Sequence, residues 1–318
     1  MVVKWKGAKS STRPLNGGGP QGGTLGITEY TSQSNDNADF VNSDEKYKFI
    51  DDLSLVELIN LISRGLTSFN CKFSIPSDIA AGHNYLPPEN TNTQLYLENL
   101  SKWTESKQMK LNVQKTKYMV VNYTRNYKFN TRLHLEGKLL EQVHQAKLLG
   151  LIVSDDLTWK ENTDFLVKKA YKRMCLLTNL FEFAVPQYEL VNIYSLYIRS
   201  VVEQSCIVWH SSLTSGEKFD LERIQKVALR IILKDKYVGY EDALRQCNLK
   251  SLGERRSDLC LKFAKKCVKN EKTRDMFPIN DKARNTRVTE KFFVTKAKTD
   301  RLAKSAVPFM QRLLNSLK

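Results

Sequence analysis

The sequence predicts an α+β fold. Short strand patterns separated by turn residues occupy the first half, and the apolar period changes to that of helices from Trp159 onward. At 318 residues and 41% hydrophobic content the chain can bury a full core and make about two domain-sized units.

The elements follow in order. Residues 7–45 are rich in Gly, Ser, Asn, Thr and Asp and hold few large apolar groups, which predicts loop with one short helix near Gly23 to Ser32. Tyr47, Phe49 and Ile50 precede the pair Asp51 and Asp52, and Leu53, Leu55 and Val56 follow it. That pattern predicts two short strands joined at the acidic pair, a β-hairpin with carboxylates at its tip. Pro76, Pro87, Pro88 and several Asn mark residues 76–92 as a surface loop. Leu97, Leu100 and Trp103 recur at three-residue steps with Lys102, Glu105 and Lys107 opposite, so an amphipathic helix ends near Met109. Tyr118 to Tyr123, Leu133 to Leu135 and Leu148 to Val153 are strands, with a hairpin turn at Glu136 and Gly137. Helices are predicted near 160–183, 187–210, 215–234, 254–269 and 300–317, with Pro186 in the first turn of its helix and Phe165, Ala170, Met174 and Leu177 forming one apolar stripe.

The formal net charge of +16 points to a polyanionic partner, because clustered Lys and Arg gain free energy by releasing counterions from phosphates. The excess is uneven: residues 251–318 carry 18 Lys and Arg against 7 Asp and Glu. An ordinary basic surface is the alternative reading of that tail. Cys71, Cys175, Cys206, Cys247, Cys260 and Cys267 include no C-x-x-C pair and have no His at zinc-site spacing, which argues against a zinc knuckle or finger and for most of them being core thiols. Cys260 and Cys267 lie seven apart, a helical repeat. No apolar stretch reaches the roughly 18 residues of a membrane span and no signal peptide opens the chain, so the expected compartment is nuclear or cytoplasmic rather than secreted, without a membrane partner. His83, His134, His144 and His210 form no cluster and receive no catalytic role. Trp103, Trp159 and Trp209 read as core.

Two features bear on chemistry. Adjacent carboxylates on a rigid turn hold divalent cations through oxygen ligands, although Asp51 and Asp52 alone also suit a helix cap or a solvated turn. The stretch Asn16 to Gly26, N-G-G-G-P-Q-G-G-T-L-G, permits close backbone approach to a nucleotide or template, or serves as a flexible linker. It lacks the Gly-Lys-Ser/Thr of a phosphate loop.

Taken in sequence, Pro20 to Gly26 (P-Q-G-G-T-L-G), Phe49 to Asp52 (F-I-D-D), Met109 to Lys117 (M-K-L-N-V-Q-K-T-K) and Lys147 to Val153 (K-L-L-G-L-I-V) resemble motifs B, C, D and E that close the palm of non-LTR retrotransposon reverse transcriptases. Residues 159–234, with Val208-Trp209-His210 and Leu221 to Lys226, resemble the helical region after that palm. The resemblance implies a partial polymerase palm of antiparallel strands with helices over 1–155, a thumb-like helical region over 156–235 and a basic helical extension over 236–318.

It also implies residue roles. Asp51 resembles the metal-binding aspartate and Asp52 a lesser ligand, for Mg2+ ions that activate the primer 3′ hydroxyl and steady the leaving pyrophosphate. Gln21 and Gly22 resemble residues beside the incoming deoxynucleoside triphosphate and the template. Lys115 or Lys117 corresponds to a cation near the leaving group, or is a solvated strand-edge lysine. Leu148, Leu149 and Gly150 correspond to the apolar turn under the primer end. Lys265, Lys266, Lys269 and Lys272 correspond to contacts with the backbone of an RNA template and DNA primer, or form a solvated helix face. The family's other metal aspartate lies upstream of the P-Q-G loop, and Met1 to Asn16 contain no acidic residue; Asp36, Asp39 and Asp44 follow the loop. The expectation is an RNA-directed DNA polymerase fragment, inactive alone, with a nucleic-acid-binding remnant or an inert fragment of a degenerate element as the alternatives.

Overall fold

The computed structural model describes residues 92–122, 132–280 and 291–317, together with the backbone of four short strands before them. It is α+β and mostly helical, and it divides into two compact units, Met1–Val143 and His144–Lys318.

In the first unit, β1 (Lys4–Trp5) pairs antiparallel with β2 (Ala8–Lys9), and β3 (Lys46–Phe49) with β4 (Asp52–Leu55). The latter register sets Phe49 opposite Asp52, as expected for a hairpin about the acidic pair. Helix α1 (Asn92–Ser106) buries Tyr96, Leu97, Leu100 and Trp103, whose spacing draws one apolar stripe. Leu97 packs with Leu133, Leu135 and Leu140. β6 (His134–Leu135) and β7 (Lys138–Leu139) are joined by Glu136 and Gly137 at φ 51° and 73°, a two-residue turn that matches the right-handed twist of its strands. The Gln94 side chain pairs with the β6 edge: its Oε1 accepts from His134 N at 2.9 Å and its Nε2 donates to His134 O at 3.2 Å. β5 (Lys117–Tyr118) runs parallel to β8 (Glu141–Gln142) and is shorter than the strand expected over Tyr118 to Tyr123. Among the described residues the strands form separate two-stranded sheets rather than one.

The second unit opens on a hairpin, β9 (Gln145–Leu148) and β10 (Leu151–Ser154), so the continuous strand expected from Leu148 to Val153 is interrupted at Leu149 and Gly150. Helix α2 (Lys160–Glu182) buries Leu166, Ala170, Met174 and Leu177. Leu166 takes the place expected of Phe165, which sits at the core's edge under Lys147 and Lys169. α2 packs against α6 (Ser215–Leu233), which contributes Leu221, Ile224, Ala228, Leu229 and Ile232. Thr214 opens α6 with a reciprocal cap to Glu217, and Ser251 opens α8 (Leu252–Lys269) in the same way with Glu254.

The single helix expected over 187–210 is broken. After α3 (Gln187–Ile193), Tyr194–Arg199 form a π-helical turn; α4 (Ser200–Glu203) follows, Ser205 adopts left-handed backbone at φ 50°, and α5 (Cys206–Trp209) is a single turn. One bond from another helix and one local bond hold the break: Arg173 Nη1 of α2 donates to Tyr197 O at 2.5 Å, and Trp209 Nε1 donates to Gln204 O at 3.0 Å. The helix expected over 300–317 also divides, into α9 (Asp300–Ala303) and α10 (Ala306–Asn315). Helix α7 (Tyr240–Gln246) lies between α6 and α8, and its Ala243 and Leu244 join the larger core. Cys260, Ala264, Cys267, Phe277, Phe292, Met310 and Leu314 make a second cluster, in which buried Gln311 accepts from Thr295 N at 2.8 Å and donates to Met276 O at 2.8 Å.

A polar network threads the helical core. Glu222 accepts from Tyr240 Oη and from Leu252 N (2.9 Å) and Gly253 N (3.2 Å) at the amino end of α8, where the helix dipole favours a carboxylate. Arg256 is fully buried, lies over the Trp209 ring and donates from Nε to His210 Nδ1 at 3.2 Å. That bond requires a bare Nδ1, so the imidazole proton sits on Nε2 and donates to Ser257 Oγ at 3.1 Å. Burial, and then the charges of Arg256 and Lys218, push His210 from its ordinary 6.5 down to about 4. Its neutral form therefore stabilises the fold above pH 6.5, and this contribution is lost as pH falls from about 6.5 toward about 4. Urea unfolding between pH 7 and pH 4.5 is expected to show a loss of roughly 2–3 kcal/mol that His210→Asn largely removes.

Candidate nucleic-acid interface

The residues singled out in the sequence fall into three groups in the structure. Gln21, Gly22 and Asp51 lie outside the described residues, as does the Asp52 side chain, while the Asp52 backbone begins β4. Lys115 is exposed in a turn, where its amide donates to Asn112 Oδ1 at 3.1 Å. It is not on a strand edge. Lys117 is on β5 and pairs at 2.9 Å with Glu141, the residue opposite it in register, so its charge is already partnered. Among the described residues no group of His, Cys, Asp and Glu is arranged to hold a metal ion.

Leu148, Leu149 and Gly150 do come together, at the tip of the β9–β10 hairpin. Leu149 and Gly150 take φ 46° and 88°, which turns the chain within two residues. The turn leaves Leu148 43% and Leu149 53% exposed, an apolar knob on a rigid hairpin whose Leu151 packs into the helical core. The Gln204 side chain packs beneath it: a Cβ built on Gly150 would stand 2.5 Å from Gln204 Nε2. Gly150→Ala thus adds left-handed strain to a close contact and is expected to cost about 1–2 kcal/mol in urea unfolding. Gly137→Ala, in a turn with open space around it, meets the backbone cost alone.

Lys265, Lys266, Lys269 and Lys272 are all exposed, the first three on α8. The buried positions of that helix, Arg256, Cys260, Ala264 and Cys267, fix the opposite side, so these lysines face solvent, and none forms an ion pair among the described residues.

The structure adds a second basic surface. On α6, Phe219, Arg223, Lys226, Arg230 and the following Lys234 recur at steps of three and four, on the face away from buried Leu221, Ile224, Ala228 and Ile232. Aromatic rings support three of these cations: Lys226 Nζ lies 5.7 Å from the Phe219 centroid and 5.0 Å from that of Tyr240, Arg230 lies 5.3 Å from Tyr237, and Lys234 lies 5.4 Å from Phe181. Each such contact is worth about 0.5–1 kcal/mol at an exposed site and limits the freedom of a long side chain. None of the four cations forms an ion pair among the described residues. The result is a row of ordered positive charge along one helix, suited to a phosphate backbone read without regard to base sequence. The spacing of Arg223, Lys226, Arg230 and Lys234 was its available sequence signal.

Compared with protein-family models, with curated proteins and with solved structures, the chain matches none of them.

Proposed function

We propose that this chain is a carboxyl-terminal part of a non-LTR reverse transcriptase that grips an RNA template and DNA primer through its helical half. What carries the reading is the order of four motif-like segments, Pro20–Gly26, Phe49–Asp52, Met109–Lys117 and Lys147–Val153. Antiparallel pairing of β3 with β4 and of β9 with β10, at the second and fourth of them, is compatible with a palm that ends in a hairpin under the primer. The α6 row and the α8 lysines supply charge for the duplex backbone.

In this reading Asp51 and Asp52 would hold Mg2+, which lowers the barrier by stabilising charge on the attacking and leaving oxygens of the phosphoryl transfer. Of the family's metal-binding positions the resemblance matches Asp51 and Asp52 alone, so binding without synthesis is the expected behaviour of these residues. Magnesium-dependent primer extension on an RNA template, run beside Asp51→Asn, tests the assignment. Background incorporation by both proteins, with retained duplex binding, agrees with it. Incorporation that survives Asp51→Asn contradicts the role given to Asp51.

A further inference from the structure

The β9–β10 hairpin and one face of α2 make a surface that differs in kind from the α6 row. Phe165, Lys169 and Arg173 follow at steps of four on α2, on a line beside the buried Leu166, Ala170, Met174 and Leu177. Lys147 of β9 reaches the same Phe165 ring as Lys169: its Nζ lies 5.4 Å from the centroid and that of Lys169 5.8 Å. One turn further on, the Arg173 guanidinium lies 4.3 Å from the Tyr197 centroid and commits one N–H to the Tyr197 carbonyl at 2.5 Å. Two rings and a carbonyl thus fix three cations, and none of the three forms an ion pair among the described residues. Their charge is left for a ligand.

Apolar groups stand among these cations. Leu148 and Leu149 are exposed at the hairpin tip, directly after Lys147. Tyr197 stays 42% exposed although Arg173 covers one side of its ring, and its chain neighbour Leu196 is 78% exposed. Aromatic and apolar side chains interleaved with uncompensated cations suit a polyanion that also shows apolar faces. A duplex keeps its base faces stacked on one another and offers phosphates, sugars and base edges only. An unpaired strand offers both, phosphates to the cations and base faces to the rings and leucines.

We propose that this face, from the hairpin tip along α2 to the π-turn, binds single-stranded nucleic acid without regard to sequence. Lys147, Lys169 and Arg173 take its phosphates, Tyr197 is the platform on which a base stacks, and Leu148 and Leu149 cover a further base. The site goes beyond the duplex grip of α6 and α8, and its cations are different ones, so each can hold without the other.

The test is fluorescence anisotropy of the full chain with a labelled thymidylate oligonucleotide of about 20 nucleotides, longer than the strand such a face covers, beside a labelled RNA–DNA duplex. Lys147→Glu combined with Lys169→Glu is expected to weaken single-strand binding at least about tenfold near 0.1 M salt. It should also remove about 1.4 from the slope of log K against log salt, since each single-strand phosphate contributes about 0.7, and leave duplex affinity within about twofold. Tyr197→Ala is expected to weaken single-strand binding about tenfold and Tyr197→Phe to restore it, because the ring and not the hydroxyl is the platform. Circular dichroism confirms the fold of each variant. No binding of the single strand by the unaltered chain, with the duplex still bound, overturns this proposal alone; single-strand binding without duplex binding supports it and overturns the duplex grip. Equal losses of both ligands in the double variant, or unchanged single-strand affinity in the double variant and in Tyr197→Ala, also overturn it. So does displacement of the oligonucleotide by polyglutamate at equal charge, because a polyanion without bases then suffices.

Discussion

Reversing three charges on α6, with Lys226→Glu, Arg230→Glu and Lys234→Glu together, is expected to weaken binding of an RNA–DNA duplex by about two orders of magnitude near 0.1 M salt. Each phosphate neutralised contributes about 0.9 to the slope of log K against log salt, so three lost contacts remove about 2.7 from it. The change should be alike for unrelated duplex sequences, because a row of cations on a helix offers nothing that distinguishes bases. The fold should tolerate the change, since these side chains are outside the core and their ring contacts are worth little each. Fluorescence anisotropy at several salt concentrations checks affinity and slope together. The triple Lys265→Glu, Lys266→Glu and Lys269→Glu measures the share of α8 in the same units. An α6 variant with unchanged affinity and slope would remove that helix from the interface.

Trp209→Ala is expected to cost about 3–5 kcal/mol, the largest single stability loss among the described side chains. The indole is fully buried in the large cluster, its Nε1 satisfies the Gln204 carbonyl at the helix break, and its ring lies under the buried Arg256 guanidinium. Truncation leaves a cavity, an unpaired carbonyl and a buried cation deprived of its ring at once. Urea unfolding followed by circular dichroism measures the loss. Leu176→Ala, on the exposed side of α2, is the control and is expected to change stability by less than about 0.5 kcal/mol.

Local signals in the sequence specify most of the described elements. Glu136 and Gly137 mark a turn because the backbone there must be left-handed twice, and the helices at 160–182 and 215–233 follow from apolar residues at steps of three and four. The break at 194–209 left no such mark. No Gly or Pro stands at Gln204 or Ser205, and the π-turn is held by Arg173 from a different helix, a partnership that periodicity cannot display. Phe165 and Leu166 are equally apolar neighbours, and only packing against α6 decides that Leu166 goes inside. Strand pairing was the least legible feature: β5 finds a parallel partner, β8, that lies 24 residues away in sequence and carries the complementary charge of Glu141. As for the candidate site, the Leu149-Gly150 turn and the α8 lysines were visible as residue types. The α6 row was hidden among them, because its significance depends on rings contributed by Phe181, Tyr237 and Tyr240 from elsewhere in the chain.

In the proposed function the helical half holds a nucleic-acid duplex by its phosphates. The most direct measurement is the affinity of the purified chain for an RNA–DNA template-primer duplex between about 50 and 200 mM salt. The expected result is a straight line of log K against log salt with a slope of about −4 or steeper, as four or more neutralised phosphates require. No measurable binding at the lowest salt, or an affinity indifferent to salt, would contradict it.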